Sequence, residues 1–231
     1  MTQSVGRQAQ TTTGQVPGPR VSAETGAEEA AGPAVAAAAA VPTGDPSLVG
    51  LPTFMVGSIA LALVNIGFAP ITALGAAIPL IMTASGIGAL IACTWAARLG
   101  QSAVAGVYAI CGGFWLSYAA LVIGLVHNWF GIGLTGVIRT QEIFLISWVV
   151  IVGLLTLGSI RLPLAYTALF ALVEAAFVFA MLGVIYRSTG LTKTSGYFVF
   201  AFVVVGAYLY LSSMSTATGG RPYPMGRPIV R

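Results

Sequence analysis

The chain has 231 residues, of which 57% are hydrophobic and 7% are charged, with a formal net charge of +4. A soluble domain carries charge on about a quarter of its residues, so the composition excludes that class and indicates a membrane protein. The apolar runs are continuous, whereas the strands of a transmembrane barrel alternate, so we expect an all-α polytopic protein. The positive charge indicates membrane topology, and no nucleic-acid partner is expected.

Residues 1–44 are rich in Gln, Thr, Gly, Pro and Ala and contain no aromatic residue. Such a segment has too little apolar surface to fold, so we expect a disordered tail. The alanine run at 36–40 is not read as a signal peptide, because acidic residues precede it and a basic flank is missing.

The first membrane span is predicted to begin directly after Asp45 and Pro46. An aspartate accepts hydrogen bonds from the free N–H groups of a first helical turn, and proline suits the first helical position. The following run over 48–68 is uncharged and long enough to cross roughly 30 Å of hydrocarbon as a helix. Asn65 is a polar residue near its far end.

Six spans are expected in the transmembrane domain, residues 45–214, and a tail follows over 215–231. The predicted spans are 48–68, 77–97, 102–126, 143–160, 164–185 and 197–214. The fourth lies near the lower length limit for a membrane helix. In the second span, small residues recur every four positions, which predicts close helix packing. One row is Ala84, Gly88, Ala92 and Ala96, and the row beside it is Ser85, Ala89, Cys93 and Ala97.

Six spans place both termini on one side of the membrane. Seven of the ten basic residues fall on that side, and Arg139, Arg187 and Lys193 fall on the other. The positive-inside rule therefore predicts that both tails are cytoplasmic. We expect the protein to be an integral protein of the plasma (inner) membrane.

The residues give little support for an enzyme, and no cofactor is expected. His127 is the single histidine, and no acidic pair accompanies it. Neither a metal site nor a Ser–His–Asp triad can be assembled from such a set. The chain also has no phosphate-cradling Gly-Lys-Ser/Thr motif, which argues against an ATP-driven pump.

Glu174 is the one ionisable residue deep within a predicted span. A charged carboxylate at the bilayer centre is costly unless it faces protein, water or a proton. The structural interpretation is a neutral acid bonded to a neighbouring backbone or hydroxyl group. The functional interpretation, which we favour, is a proton or substrate site that faces the interior near Val173.

Two short motifs stand out by their order and spacing. The first includes Asp45, Pro46, Gly50 and Leu51, and the second includes Cys111, Gly112, Phe114 and Trp115. With these motifs the chain resembles the acetate uptake transporters, also called succinate–acetate permeases. That family opens its first helix with Asn-Pro-Ala-Pro-Leu-Gly-Leu, and its third helix contains Tyr-Gly-x-Phe-Trp-Leu.

The resemblance implies a six-helix protomer in a homohexamer, which moves acetate and related small carboxylates, in several cases with protons. It also implies a hydrophobic constriction contributed by three helices. By position, this constriction corresponds to Phe54, Cys111 and Val173, with Asn65 as a hydrogen-bonding group on the pathway.

Three functions are therefore considered. The first is a proton-linked transporter or channel for small monocarboxylates such as acetate, and also succinate, with Glu174 as the candidate proton site. The second is a facilitator for another small solute, either ammonium or a neutral molecule. The third is a membrane sensor or scaffold that does not transport.

Overall fold

The computed structural model of the chain describes residues 43–230, none of which lies in a strand. Six helices are long and apolar enough to cross a membrane, which confirms the predicted all-α class and the number of spans. The predicted disordered tail, residues 1–44, lies outside the described part apart from Thr43 and Gly44. Five of the helices are α1 (Ser47–Asn65), α3 (Ser102–Val126), α4 (Leu134–Gly158), α5 (Leu164–Ile185) and α6 (Thr189–Ala217).

The second span, α2, is built from three consecutive pieces. A helical turn over Leu74–Pro79 leads into a π-helical stretch, Leu80–Ile87, and an α-helix follows over Gly88–Arg98. Pro79 ends the first piece. Its ring cannot donate the backbone hydrogen bond of a regular helix, and wider π-helical pairing follows it directly.

The fourth and sixth helices are longer than predicted. The α4 helix begins at Leu134 and includes Arg139 and Glu142, whose side chains form an ion pair at 2.6 Å. The α6 helix begins at Thr189, where the Ser188 hydroxyl accepts a hydrogen bond from the Leu191 N–H (3.4 Å). The prediction of a short fourth span was wrong because it counted only the uncharged core of the helix and left out its charged first turns.

The entry to α1 has the predicted cap. The Ser47 N–H donates to Asp45 Oδ1 at 2.9 Å, and Pro46 has helical backbone angles (φ −59°, ψ −17°). The carboxylate thus satisfies one of the N–H groups that the first turn of a helix leaves free.

A hydroxyl from α2 interrupts the backbone hydrogen bonds of α1. The Gly57 N–H donates to Ser85 Oγ (2.8 Å), and the Ser85 hydroxyl donates to the Thr53 carbonyl (2.5 Å). A regular helix would join Gly57 and Thr53 directly, so the serine is inserted into the ladder of α1. This insertion lies beside Phe54 and ties the π-helical stretch to α1.

Small residues of α2 pack closely, as predicted, and Gly88 does so against α1. Gly88, Ala89, Ala92 and Ala96 are buried, and a Cβ atom placed on Gly88 would lie 2.6 Å from Thr53 Cβ. Ala97, from the second predicted row, is exposed. The close approach therefore uses one face of α2.

The helix α4 packs with one face only. Val152 is its one fully buried residue, and α4 reaches α5 through the Thr156 hydroxyl, which donates to the Phe170 carbonyl at 3.2 Å. The opposite face is apolar and exposed at Ile143, Ile146, Val150, Leu154 and Leu157. Such a face suits lipid or a neighbouring subunit.

The segment after α6 folds back onto the bundle. The Ala165 N–H donates to the Met225 carbonyl (3.0 Å), and the Tyr208 hydroxyl donates to the Pro224 carbonyl (2.7 Å). The Ile229 N–H donates to the Ile160 carbonyl (3.1 Å). The predicted C-terminal tail, residues 215–231, thus contains the end of α6 and a docked segment at the first turn of α5.

Candidate functional site

The bundle contains two cavities, one toward each end. Cavity A has a volume of about 220 Å³ and lies among the first turns of α1, α3 and α5, where Ser47, Ala103 and Tyr166 line it. Cavity B has a volume of about 300 Å³ and reaches the opposite ends of α1 and α5, at Asn65 and Val184.

Four side chains line both cavities and therefore lie between them: Phe54, Phe114, Val173 and Phe177. We call this set the aromatic partition. It is drawn from α1, α3 and α5. The rings of Phe114 and Phe177 meet edge to face, with centroids 4.8 Å apart and an interplanar angle of 70°. Edge-to-face contacts of this kind add to the stability gained from burial.

Further aromatic contacts hold the partition in place. Phe54 lies 5.5 Å from Phe202 of α6 and 6.1 Å from Trp115, while Phe114 meets Trp148 of α4 edge to face at 5.4 Å. Trp115 is only 2% exposed. Five helices thus support a plug of ring carbons between the two cavities.

The residues that were predicted for the constriction do not all lie together: two belong to the partition, and the others line one cavity each. Phe54 and Val173 belong to the partition, whereas Cys111 lines cavity A alone and Asn65 lines cavity B alone. The sequence did not lead us to predict Phe177 as a residue of the constriction, and it placed Phe114 only in a family motif. The spacing carried a signal, because Phe177 follows Val173 by four positions and Phe114 follows Cys111 by three, so each pair shares a helix face.

The linings of the two cavities differ in polarity. Cavity A is aliphatic and aromatic apart from Ser47, Tyr108, Cys111 and Tyr166. Cavity B has neutral polar side chains, and these are Ser58, Asn65, Trp115, Tyr118, Gln141, Thr192 and Ser195. The buried Nε1 atom of Trp115 has no hydrogen-bond partner among the described residues. Among residues 43–230, the side chains that line either cavity include no Asp, Glu, Lys, Arg or His.

Glu174 lies outside both linings, although it was expected to face the interior beside Val173. Its carboxylate packs against α4, where a Cβ atom placed on Gly153 would lie 3.4 Å from Oε1. Its Oε2 atom is buried and has no hydrogen-bond partner among the described residues. Adjacent residues of a helix point about 100° apart. Because Val173 points toward the partition, Glu174 points away from it and toward α4.

Other residues of the two sequence motifs serve helix packing. Gly50 lies against the Tyr108 ring, which fills the space that a side chain on Gly50 would need. Gly112 brings α3 against the π-helical stretch, since its Cβ position would lie 3.3 Å from the Gly86 carbonyl oxygen. Leu51 and Trp115 are buried in the core.

His127 is exposed at the end of α3, and its Nδ1 atom lies 3.0 Å from the Ile123 carbonyl oxygen. In the described part of the chain, no three His, Cys, Asp or Glu residues are grouped to hold a metal ion. Cys93 and Cys111 are free thiols.

These features define an integral membrane protein in which six helices enclose two cavities separated by an aromatic partition. The chain belongs to the GPR1/FUN34/yaaH family, which matches residues 28–220. The membership confirms the resemblance inferred from the motifs.

Two known proteins are similar to the chain. Accumulation of dyads protein 2 of Saccharomyces cerevisiae (strain ATCC 204508 / S288c) is 27% identical over 192 residues, which cover 80% of this chain and 65% of that relative. The solved structure of the bacterial acetate channel SatP aligns with a TM-score of 0.71 at 19% identity, covering 80% of this chain and 100% of that chain. The structural similarity establishes a shared fold.

Proposed function

We propose that the protein is a transporter or channel for small monocarboxylates such as acetate, with the aromatic partition as its gate, and that it is not an enzyme. The observation that carries the proposal is the partition itself, four apolar side chains between two cavities at opposite ends of the bundle. A hydrophobic constriction selects solutes by size and by the cost of removing their water. The fold shared with an acetate channel supports the same assignment.

The setting in the membrane is part of the proposal. Exposed Arg98, Arg161, Arg221 and Arg227 lie at the end of cavity A, which favours a cytoplasmic location for that end in a plasma membrane protein. The exposed apolar face of α4 suits a homo-oligomer, and the family resemblance suggests a hexamer.

Uptake by the purified protein in proteoliposomes tests this function. Radiolabelled acetate, lactate, succinate and ammonium are supplied separately, and protein-free vesicles of the same lipid give the background. We expect protein-dependent entry of acetate, less of lactate and least of succinate, because the partition leaves little space for a second carboxyl group.

A facilitator for another small solute is the second candidate, and the neutral lining of both cavities favours it. Entry of ammonium without acetate would select that candidate. Vesicles in which none of the four solutes enters above background would contradict transport and leave the sensor or scaffold interpretation.

A further inference from the structure

We propose that the connection between α4 and α5, together with the docked C-terminal segment, binds an anionic phospholipid. Arg161 and Arg227 hold the phosphate of the headgroup, and the exposed apolar face of α4 receives an acyl chain. The inference concerns a surface outside both cavities and does not depend on the proposed function.

The docked segment brings the two arginines to one place. Arg161 lies in the helical turn that follows α4, and the carbonyl of the preceding Ile160 accepts a hydrogen bond from the Ile229 N–H at 3.1 Å. Arg227 stands two positions before Ile229. Two positions before Arg227, the segment is held again, by the Ala165 N–H at 3.0 Å. Arg227 is thus fixed between two anchor points, beside the connection that contains Arg161.

These two arginines have no carboxylate partner among residues 43–230. Both are exposed. The ion pair in this part of the chain joins Arg139 to Glu142, in the first turns of α4 and so at the opposite end of that helix. Asp45 caps α1, and Glu174 packs against α4. The surface therefore presents two uncompensated positive charges, and arginine is especially suited to bind phosphate oxygens, because its planar group can donate two parallel hydrogen bonds.

An apolar surface adjoins the arginines. The exposed stripe of α4 continues through Leu154 and Leu157, and Arg161 falls at the next position of the same helical spacing. On the docked segment, Ile229 is 61% exposed and Val230 is 42% exposed. A free phosphate ion would use the arginines alone. A phospholipid matches the whole surface, because its phosphate meets the arginines while its acyl chain covers the aliphatic carbon of α4.

The depth of the surface in the membrane agrees with this ligand. Arg161 is the last residue of the apolar span Leu134–Arg161, so it lies where hydrocarbon gives way to lipid headgroups. This is the end that we place in the cytoplasm, and the cytoplasmic leaflet is the one that carries anionic lipid.

The test measures lipid binding to the full-length protein by native mass spectrometry, after purification in a neutral detergent. Dioleoyl phosphatidylglycerol is the anionic probe, and dioleoyl phosphatidylcholine and inorganic phosphate are titrated separately. We expect phosphatidylglycerol to bind more tightly than phosphatidylcholine and to resist displacement by inorganic phosphate. Arg161→Gln and Arg227→Gln should each weaken its binding about fivefold, which is the effect of losing one arginine near an anionic membrane surface.

Arg98→Gln is the matched control. Arg98 is also exposed at this end of the bundle, but it lies on α2, which packs on α1 and α3. The substitution removes the same charge and should leave the affinity for phosphatidylglycerol unchanged. Neither Arg161 nor Arg227 has a side-chain partner among the described residues, so we expect all three variants to elute as the wild type does in size-exclusion chromatography.

Three results would overturn the inference. The first is an affinity that Arg161→Gln and Arg227→Gln do not lower, or that Arg98→Gln lowers as much. The second is equal binding of the two lipids, which would mean that the headgroup charge is not recognised. The third is displacement of phosphatidylglycerol by inorganic phosphate, which would indicate a site for free anions in place of a lipid site. None of these results would bear on transport.

Discussion

Phe177 is the side chain through which α5 closes the aromatic partition. It lines both cavities and meets Phe114 edge to face at 4.8 Å. Cys111 adds little bulk on the cavity A side, so the large rings of Phe54, Phe114 and Phe177 fill the boundary. Size selection by this protein is therefore expected to depend on Phe177 at least as much as on Phe54.

Phe177→Ala is expected to raise the entry of lactate and succinate relative to acetate, because removal of the ring joins the two cavities. Phe179→Ala is the matched control, since Phe179 is on the same helix, stacks on Phe198 at 5.1 Å and lines neither cavity. The measurement is the ratio of uptake rates for the three acids. Equal ratios in wild type and Phe177→Ala would place the gate elsewhere.

Glu174→Gln tests the hypothesis that Glu174 is a proton site. Glutamine keeps the size and hydrogen bonding of a neutral acid but cannot titrate. Because the carboxylate lies outside both cavities, we expect the variant to fold and to keep the pH–uptake profile of the wild type. A flattened profile would show that a proton passes through Glu174 and would support the functional interpretation drawn from the sequence.

At the scale of elements, the contact between α1 and α2 positions Phe54, a member of the aromatic partition that we propose as the gate. The π-helical stretch directs Ser85 into the backbone of α1, one residue from Phe54, and the glycine at 57 leaves room for the hydroxyl. The glycine at 88 then lets α2 approach Thr53. The small residues of α2 and the inserted serine hydroxyl in the backbone hydrogen bonds of α1 thus bring the two helices together at one close crossing.

Ser85→Ala is expected to lower the stability of the protein by about 0.6 kcal/mol and by no more than about 1.7 kcal/mol, the average and the maximum measured for hydrogen bonds between membrane helices. The loss is modest because Gly57 can donate to Thr53 once the hydroxyl is gone. Unfolding in mixed micelles measures the stability, and the acetate-to-lactate ratio reports any movement of Phe54. A variant with unchanged stability and ratio would mean that the inserted hydroxyl is dispensable.

Gly88→Ala and Gly106→Ala form a matched pair of substitutions. The new methyl group at position 88 would overlap the Thr53 side chain, whereas at position 106 no atom lies within 4 Å of it. We expect the first to destabilise by about 1–3 kcal/mol through overpacking. The second should be neutral or slightly stabilising, because alanine favours a helix more than glycine does. The same unfolding assay compares them, and equal effects would contradict the close crossing.

At the scale of the whole molecule, the two ends of the chain are expected to differ in importance. The segment after α6 is joined to the bundle by hydrogen bonds from Tyr208, Ala165 and Ile229. Residues 1–40, by composition, have little apolar surface to contribute to a fold.

Deletion of residues 221–231 is therefore expected to lower the thermal stability and the yield of monodisperse protein, because the first turn of α5 loses its partner. Deletion of residues 1–40 should leave both unchanged, and acetate uptake as well. Fluorescence-detected size-exclusion chromatography after heating compares the two truncations with the full chain. A loss of thermal stability or yield in the N-terminal truncation alone would contradict this prediction.

The sequence by itself determined the membrane class, the number of spans, the cap at Asp45 and the family. Each of these depends on local information, namely a continuous apolar run, a capping residue or a short motif. The ends of α4 and α6 escaped prediction because the Arg139–Glu142 pair and Lys193 are tolerated in the outer turns of a helix. Only the tertiary structure decided that Phe177 and Phe114 join Phe54 and Val173 in the partition, and that Glu174 turns toward α4. The physical reason is that a pathway is formed where several helices meet, and a rotation of about 100° between neighbouring residues decides which side chain faces it.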